Sequence, residues 1–205
     1  MRFNAPPLGE ELNPGEVTEP RQAASLILLR DSAEGPEVLL VKRNPEQRFM
    51  GGVWVFPGGA VHAEDSDHAG AAVRELEEEA GVAVPASAAV PFSRWITPAE
   101  VKVRFDTWFF AARAPDGARV TPDGGECVDA RWLRPSEALA SCARDELLLV
   151  FPTIKHLEEL RRFGSVANAL DAARARTMEP VQPRVVVRDG LPEVLLPGEP
   201  GYDDT

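Results

Sequence analysis

The stretch Arg74-Glu-Leu-Glu-Glu-Glu-Ala-Gly81 concentrates negative charge in a way that invites a chemical explanation. On a helix, Glu75, Glu78 and Glu79 fall at i, i+3 and i+4 and share one face. Like charges at that spacing destabilise a helix by about 0.2–0.5 kcal/mol per pair, so helix stability does not account for the cluster. A hard divalent cation does. Mg²⁺ takes oxygen ligands, keeps some of its waters and bridges protein carboxylates to phosphates, and Mn²⁺ suits the same donors. Two such ions could orient a diphosphate, neutralise its charge and lower the pKa of an attacking water. The alternative is an acidic, solvated helix face, which is ordinary in a chain of formal charge −11.

The elements that must position these groups can be read from the pattern. Ala69, Ala72, Val73, Leu76 and Ala80 form one apolar stripe, so a helix is expected over Asp67–Ala80. Ser66 or Asp67 suits its N-cap and Gly81 its left-handed C-cap. Short apolar runs predict strands at Ala23–Leu29, Val38–Val41, Val53–Phe56, Phe105–Ala112 and Val128–Leu133. Asp31–Pro36 is turn-rich, and Pro57-Gly58-Gly59 ends the third strand abruptly. Residues 135–178 read as mostly helical, with breaks near Pro152 and Gly164. Arg184–Val187, an Asp189-Gly190 turn and Val194–Leu196 predict a terminal hairpin at about 183–197. Residues 1–20 read as an arm, and 21–205 as one domain. Short strands around one strong helix, followed by a helical run, suggest a mixed α/β sandwich.

Composition narrows the function classes. The net charge of −11 argues against a chain that grips nucleic acid along an extended surface. It leaves room for a small phosphate-bearing ligand, because a bound cation inverts the local field. The two cysteines, Cys127 and Cys142, have no metal-knuckle spacing and read as ordinary small side chains. Neither a signal-peptide pattern nor a membrane-length apolar run is present, so a soluble, cytoplasmic protein with no membrane partner is expected.

The residues Phe56-Pro-Gly-Gly59 and Arg74-Glu-Leu-x-Glu-Glu-x-Gly-Val82 together resemble the Nudix box, G-x5-E-x7-R-E-U-x-E-E-x-G-U with U aliphatic. The second half matches at every fixed position. In the first half, counting back from Arg74 puts Ala60 at the glycine and Ser66 at the first glutamate. Counting forward from Gly59 puts Asp65 there instead, so the loop carries one extra residue. The coenzyme A diphosphatase branch of the family has a similar loop with an aspartate at that place. Its upstream signature, L-L-T-x-R-[SA]-x3-R-x3-G-x3-F-P-G-G, is met by Leu39-Leu40, Arg43, Arg48, Gly52 and Phe56–Gly59. Val41 and Asn44 depart from it, and His62 stands where that branch usually has aspartate. Ser93–Pro98 and Arg104–Phe110 are similar to the equivalent region of the animal peroxisomal enzymes of this branch. The resemblance covers roughly residues 22–140.

This resemblance implies an α/β/α Nudix sandwich with a mixed sheet and additional C-terminal helices. It also implies Mg²⁺ or Mn²⁺ held by Glu75, Glu78 and Glu79, with Glu75 able to serve as base instead. Asp65 is either an outer ligand or a loop cap. Arg74 is expected to orient a carboxylate, and Gly58 and Gly59 to shape the loop. Glu126 is a candidate general base, against an ordinary surface glutamate. Arg43 and Arg48 could contact substrate phosphates, against strand-edge or local ion pairs. Trp95, Trp108, Phe109 and Phe110 could stack on adenine, although aromatic residues on strands are more often core. His68 and His156 carry no readable signal. The implied activity is diphosphatase action on coenzyme A or an acyl derivative, yielding 3′,5′-ADP and a 4′-phosphopantetheine product. The rivals are an ADP-ribose, NADH or other nucleoside diphosphate pyrophosphatase, and a non-catalytic Nudix module. The C-terminal helices and hairpin could cover the pocket or form a homodimer interface.

Overall fold

The computed structural model describes residues 13, 15–188 and 191–203. At its centre lies β1 (Arg21–Ser32), whose run Ala23–Leu29 is buried throughout. Continuous burial means both faces are covered, and alternate residues serve different cores. Ala24, Leu26 and Leu28 point to the layer of α1 (His68–Ala80), while Ile27 and Leu29 point to the opposite layer. That second layer consists of α2 (Pro135–Ala143), α3 (Phe151–Leu160) and α4 (Val166–Arg174), anchored through Ala138, Leu157, Leu160 and Leu170. The result is the α/β/α sandwich with a mixed sheet and extra C-terminal helices.

The sheet is mixed because β6 (Phe105–Arg113) runs parallel to β1 along its whole edge, from Arg21↔Phe105 to Leu29↔Arg113. The other edge of β1 is divided. Near the turn, residues 29–32 pair antiparallel with β2 (Gly35–Arg43), so the break expected at Asp31–Pro36 is a tight hairpin closed by Ser32↔Gly35. β2 then diverges. Its free edge takes β3 (Trp54–Val55) at Val41↔Val55, while β1 takes β4 (Gly58–Ala60) at Ala24↔Gly59. Phe56-Pro57 therefore sits as a wedge in the V between β1 and β2, with the Pro57 carbonyl accepting from the Leu26 N–H and the Ser25 hydroxyl, each at 2.8 Å.

This corrects the expectation that strand pairing stops at Pro57: the third strand is shorter than Val53–Phe56, and Gly58-Gly59 forms a strand of its own. Close approach explains the glycines. A Cβ on Gly58 would stand 2.6 Å from the Ala24 carbonyl oxygen, and one on Gly59 would stand 2.7 Å from the Glu75 carboxyl carbon.

The outer strands are β7 (Cys127–Leu133), antiparallel to β2, and β5 (Val90–Ile96), antiparallel to β6. Sequence pattern did not anticipate β5, because Pro91 interrupts it at a register shift. A two-residue β8 (Pro180–Val181) pairs parallel with β5. The terminal hairpin forms from β9 (Arg184–Arg188) and β10 (Leu191–Leu195), so its second arm starts earlier than expected. The Asp189-Gly190 turn and most of the N-terminal arm lie outside the described residues. Among the described residues no helix is long and apolar enough to cross a membrane.

Candidate active site

Helix α1 begins at Asp67, whose side chain accepts from the Gly70 N–H at 2.8 Å, and ends at Gly81 with φ of 68°. Its register decides which carboxylates are sequestered. Leu76 and Ala80 anchor the helix to the sheet, and the adjoining Glu75 and Glu79 are carried inward to 7% and 3% exposure. Glu78 stays outside, with 58% of its side chain exposed. The three glutamates are thus neighbours on the helix but sit at different depths.

Burying a carboxylate is unfavourable unless it finds hydrogen bonds or positive charge. Glu79 is only half provided for. Its Oε2 accepts from the Gly58 N–H at 3.0 Å, while its Oε1 is buried with no hydrogen-bond partner among the described residues. Burial accordingly pushes the Glu79 carboxyl up to about 7, and raises that of Glu75 against the opposing pull of Arg74.

Arg74 is the hub of the cluster. Its Nε and Nη2 donate to the two oxygens of Asp65 at 2.9 and 3.1 Å, and Nη1 donates to Glu75 and Glu78 at 2.9 and 2.8 Å. The guanidinium holds the Asp65 carboxyl down at about 2. Asp65 also accepts from the His62 N–H at 2.8 Å, so it caps the loop and clamps Arg74.

One cavity of about 740 Å³ receives these groups. Glu75, Glu78, Glu79, Arg74, Gly58, Gly59, Arg43 and Glu126 all stand on its wall, so eight positions scattered over four stretches of sequence meet. Asp65 lies outside the wall, behind Arg74, and Arg48 is exposed and away from it. Arg43 presents a buried Nε with no hydrogen-bond partner among the described residues. Of the aromatic candidates, Trp95 and Phe109 line the cavity. Trp108 instead stacks on Phe110 at 6.4 Å on the α1 side, with Arg94 over its ring. His68 leans on Trp108, and His156 is buried among Phe56, Phe92, Trp95 and Phe109. Burial drives His156 down to about 3, so it is a neutral core residue bonded to Ser93 at 2.6 Å. Cys127 is buried, with its thiol pushed above the ordinary range by that burial.

Two features were not read from the sequence as parts of a site, although Asp123-Gly-Gly reads there as a turn. Asp123 gathers the N–H groups of Gly125, Glu126 and Cys127 at 2.9, 2.8 and 2.8 Å. Asn44 holds the same loop from the other side, donating from its side chain to the Gly125 carbonyl and from its backbone to the Glu126 carbonyl. An aspartate followed by glycines is the only local hint of such a turn. The second feature is an apolar part of the cavity lining, to which Phe105, Phe151, Val185 and Val194 contribute with Trp95 and Phe109.

The donor set suits a hard cation: buried carboxylates, one of whose oxygens lacks any partner. Among the described residues, however, no group of three or more His, Cys, Asp and Glu side chains already stands at ligand spacing. Arg74 occupies oxygens of Glu75 and Glu78 that a cation would compete for.

Comparison with known proteins agrees with this geometry. The NUDIX domain family model matches residues 19–152. A Caenorhabditis elegans relative that carries the nudix hydrolase name is 26% identical over 93% of this chain and 77% of its own. The human acyl-coenzyme A diphosphatase NUDT19 is 32% identical over 54% of this chain, a match that spans only 31% of the human protein. Among solved structures, a NUDIX hydrolase from Alicyclobacillus acidocaldarius superposes with a TM-score of 0.68 at 26% identity, covering 79% of this chain and 98% of that one.

Proposed function

The chain belongs to the NUDIX domain family and is a hydrolase of that family, and from that premise we propose that it cleaves the diphosphate linkage of coenzyme A or an acyl derivative. The products are 3′,5′-ADP and a 4′-phosphopantetheine moiety. The observation that carries this reading is the mixed lining of one cavity, whose wall holds the carboxylates and Arg43 together with Trp95, Phe105, Phe109, Phe151, Val185 and Val194. Diphosphate chemistry needs only the charged groups, so the apolar part of the lining favours a substrate with a long arm beyond the phosphates. The partial likeness to the human acyl-coenzyme A diphosphatase points the same way.

Glu75, Glu78 and Glu79 would hold Mg²⁺ or Mn²⁺, and the unpartnered Oε1 of Glu79 supports that assignment. When bound, the ion supplies positive charge against the phosphate oxygens and acidifies water. The chain's own groups do the rest. Arg43 offers a guanidinium to a phosphate oxygen. Glu126 accepts the proton of the attacking water as that water's oxygen bonds to phosphorus and the bridging P–O bond breaks. Arg74 keeps Glu75 and Glu78 from splaying into solvent.

Asp123 acts through Glu126 in this scheme. Asp123→Ala is expected to lower kcat roughly tenfold, a fraction of the general-base contribution, and to add no further loss in a Glu126→Gln background. Additive losses in the double variant would show that Asp123 does not work through Glu126.

A substrate panel tests the proposal. With Mg²⁺, coenzyme A or an acyl-coenzyme A should give 3′,5′-ADP on chromatography faster than ADP-ribose or NADH is cleaved. Rapid ADP-ribose cleavage with coenzyme A and its acyl esters untouched would overturn the substrate assignment.

A further inference from the structure

Part of the apolar lining of the cavity comes from a segment outside the region that matches the family. The match ends at residue 152, whereas β9 and β10 span Arg184–Arg188 and Leu191–Leu195. Val185 and Val194 are direct cross-strand partners in this hairpin, and both face the cavity. The sheet fixes where the hairpin stands. β8 pairs with β5 at Trp95↔Val181, so the chain enters the hairpin beside Trp95, itself a wall residue.

Further bonds hold the hairpin in place. The Val185 N–H donates to Glu100 Oε2 at 3.2 Å, and Arg184 lies 3.8 Å from Glu100 Oε1. Arg184 also donates to the Tyr202 carbonyl at 2.6 Å, while the Tyr202 hydroxyl donates to the Gln182 carbonyl at 2.7 Å. These bonds make the valine pair a preformed wall.

An apolar wall continuous with a polar site gains from a ligand that covers both at once. We infer that the terminal hairpin is a length gauge: the Val185–Val194 pair bounds a compartment for an apolar arm covalently joined to the diphosphate, and selects substrates by how far that arm reaches. The inference rests on the proposed diphosphatase reading of the same cavity. Its occupant is the arm of the substrate, because the valine pair and the carboxylates line one and the same cavity.

The test uses the full chain with Mg²⁺ and coenzyme A, butyryl-, octanoyl- and palmitoyl-coenzyme A. In Val185→Trp, the ratio of kcat/KM for octanoyl-coenzyme A to that for coenzyme A should fall at least about tenfold, in keeping with the discrimination an apolar pocket achieves. In Val194→Ala, which only removes volume, the optimum should move toward the longer arm. Unchanged ratios in both variants, at wild-type Tm, would overturn the gauge. If the wild type turns over none of the series, the substrate reading fails by itself, and the compartment is then read with 8-anilinonaphthalene-1-sulfonate. Loss of most of the dye's fluorescence gain in Val185→Trp supports the compartment. An equal gain in both proteins overturns it.

Discussion

Replacing Glu78 with glutamine is expected to lower kcat by about 10³-fold or more, equivalent to about 4 kcal/mol of transition-state stabilisation. The change is isosteric and removes one negative charge from a side chain that is largely exposed, so the fold should be indifferent to it. The bond to be weakened among the described residues is the 2.8 Å contact with Arg74, which keeps its stronger engagement with Asp65. Tm is therefore expected to stay within about 3 °C of wild type. Steady-state kinetics and a thermal melt on the same sample check both halves. A kcat within a few-fold of wild type would show that Glu78 is part of a solvated acidic face and not of the catalytic machinery.

Glu79 should behave in the opposite way, with its largest effect on stability. Its carboxyl rises from 4.5 to about 7 through burial, which corresponds to about 3 kcal/mol. The folded chain keeps this proton while the unfolded chain releases it, so the metal-free protein should lose stability as pH rises from about 4.5 through about 7. Above that the curve should level off. Glu75 is raised for the same reason and adds in the same direction. For a chain of this size the loss amounts to a Tm lower by roughly 6–12 °C. Calorimetry in chelator from pH 4.5 to 8 should show this slope in the wild type and a much flatter one in Glu79→Gln. Saturating Mg²⁺ should restore stability most at the upper end of the range, where the folded carboxylates are charged. Parallel slopes for wild type and Glu79→Gln would mean that the buried carboxyl does not carry the effect.

Much of this organisation was legible in the residues themselves. The helix over 68–80 announced itself through an apolar stripe, an Asp cap and a terminal glycine, all local signals. The strands of β1, β2, β6 and β7 followed from short apolar runs. What could not be read depends on contacts far apart in sequence. Gly58-Gly59 looks like a turn, and only the divergence of β1 from β2 makes room for it as a strand. Pro91 masks β5, which survives because a register shift absorbs it. The candidate carboxylates were visible as a cluster, but their unequal depth was not, since it depends on how α1 rolls against β1 and β4. Arg48 shared a motif with Arg43, yet Arg43 ends a strand at the cavity and Arg48 stands exposed in the loop beyond it. Asp123-Gly124-Gly125 reads as a turn in the sequence, but the three backbone N–H groups that the Asp123 side chain gathers do not show there. The hairpin was expected from its sequence; its position over the cavity is set by β8, a two-residue strand too short to recognise.

Titration of Mn²⁺ into the intact chain, followed by the electron paramagnetic resonance signal of the free ion, addresses the central claim without depending on any substrate. The wild type should take up Mn²⁺ at neutral pH, and Glu78→Gln and Glu79→Gln should each bind it at least about tenfold more weakly. Equal affinity in all three proteins, or no uptake by the wild type at millimolar Mn²⁺, would contradict the account.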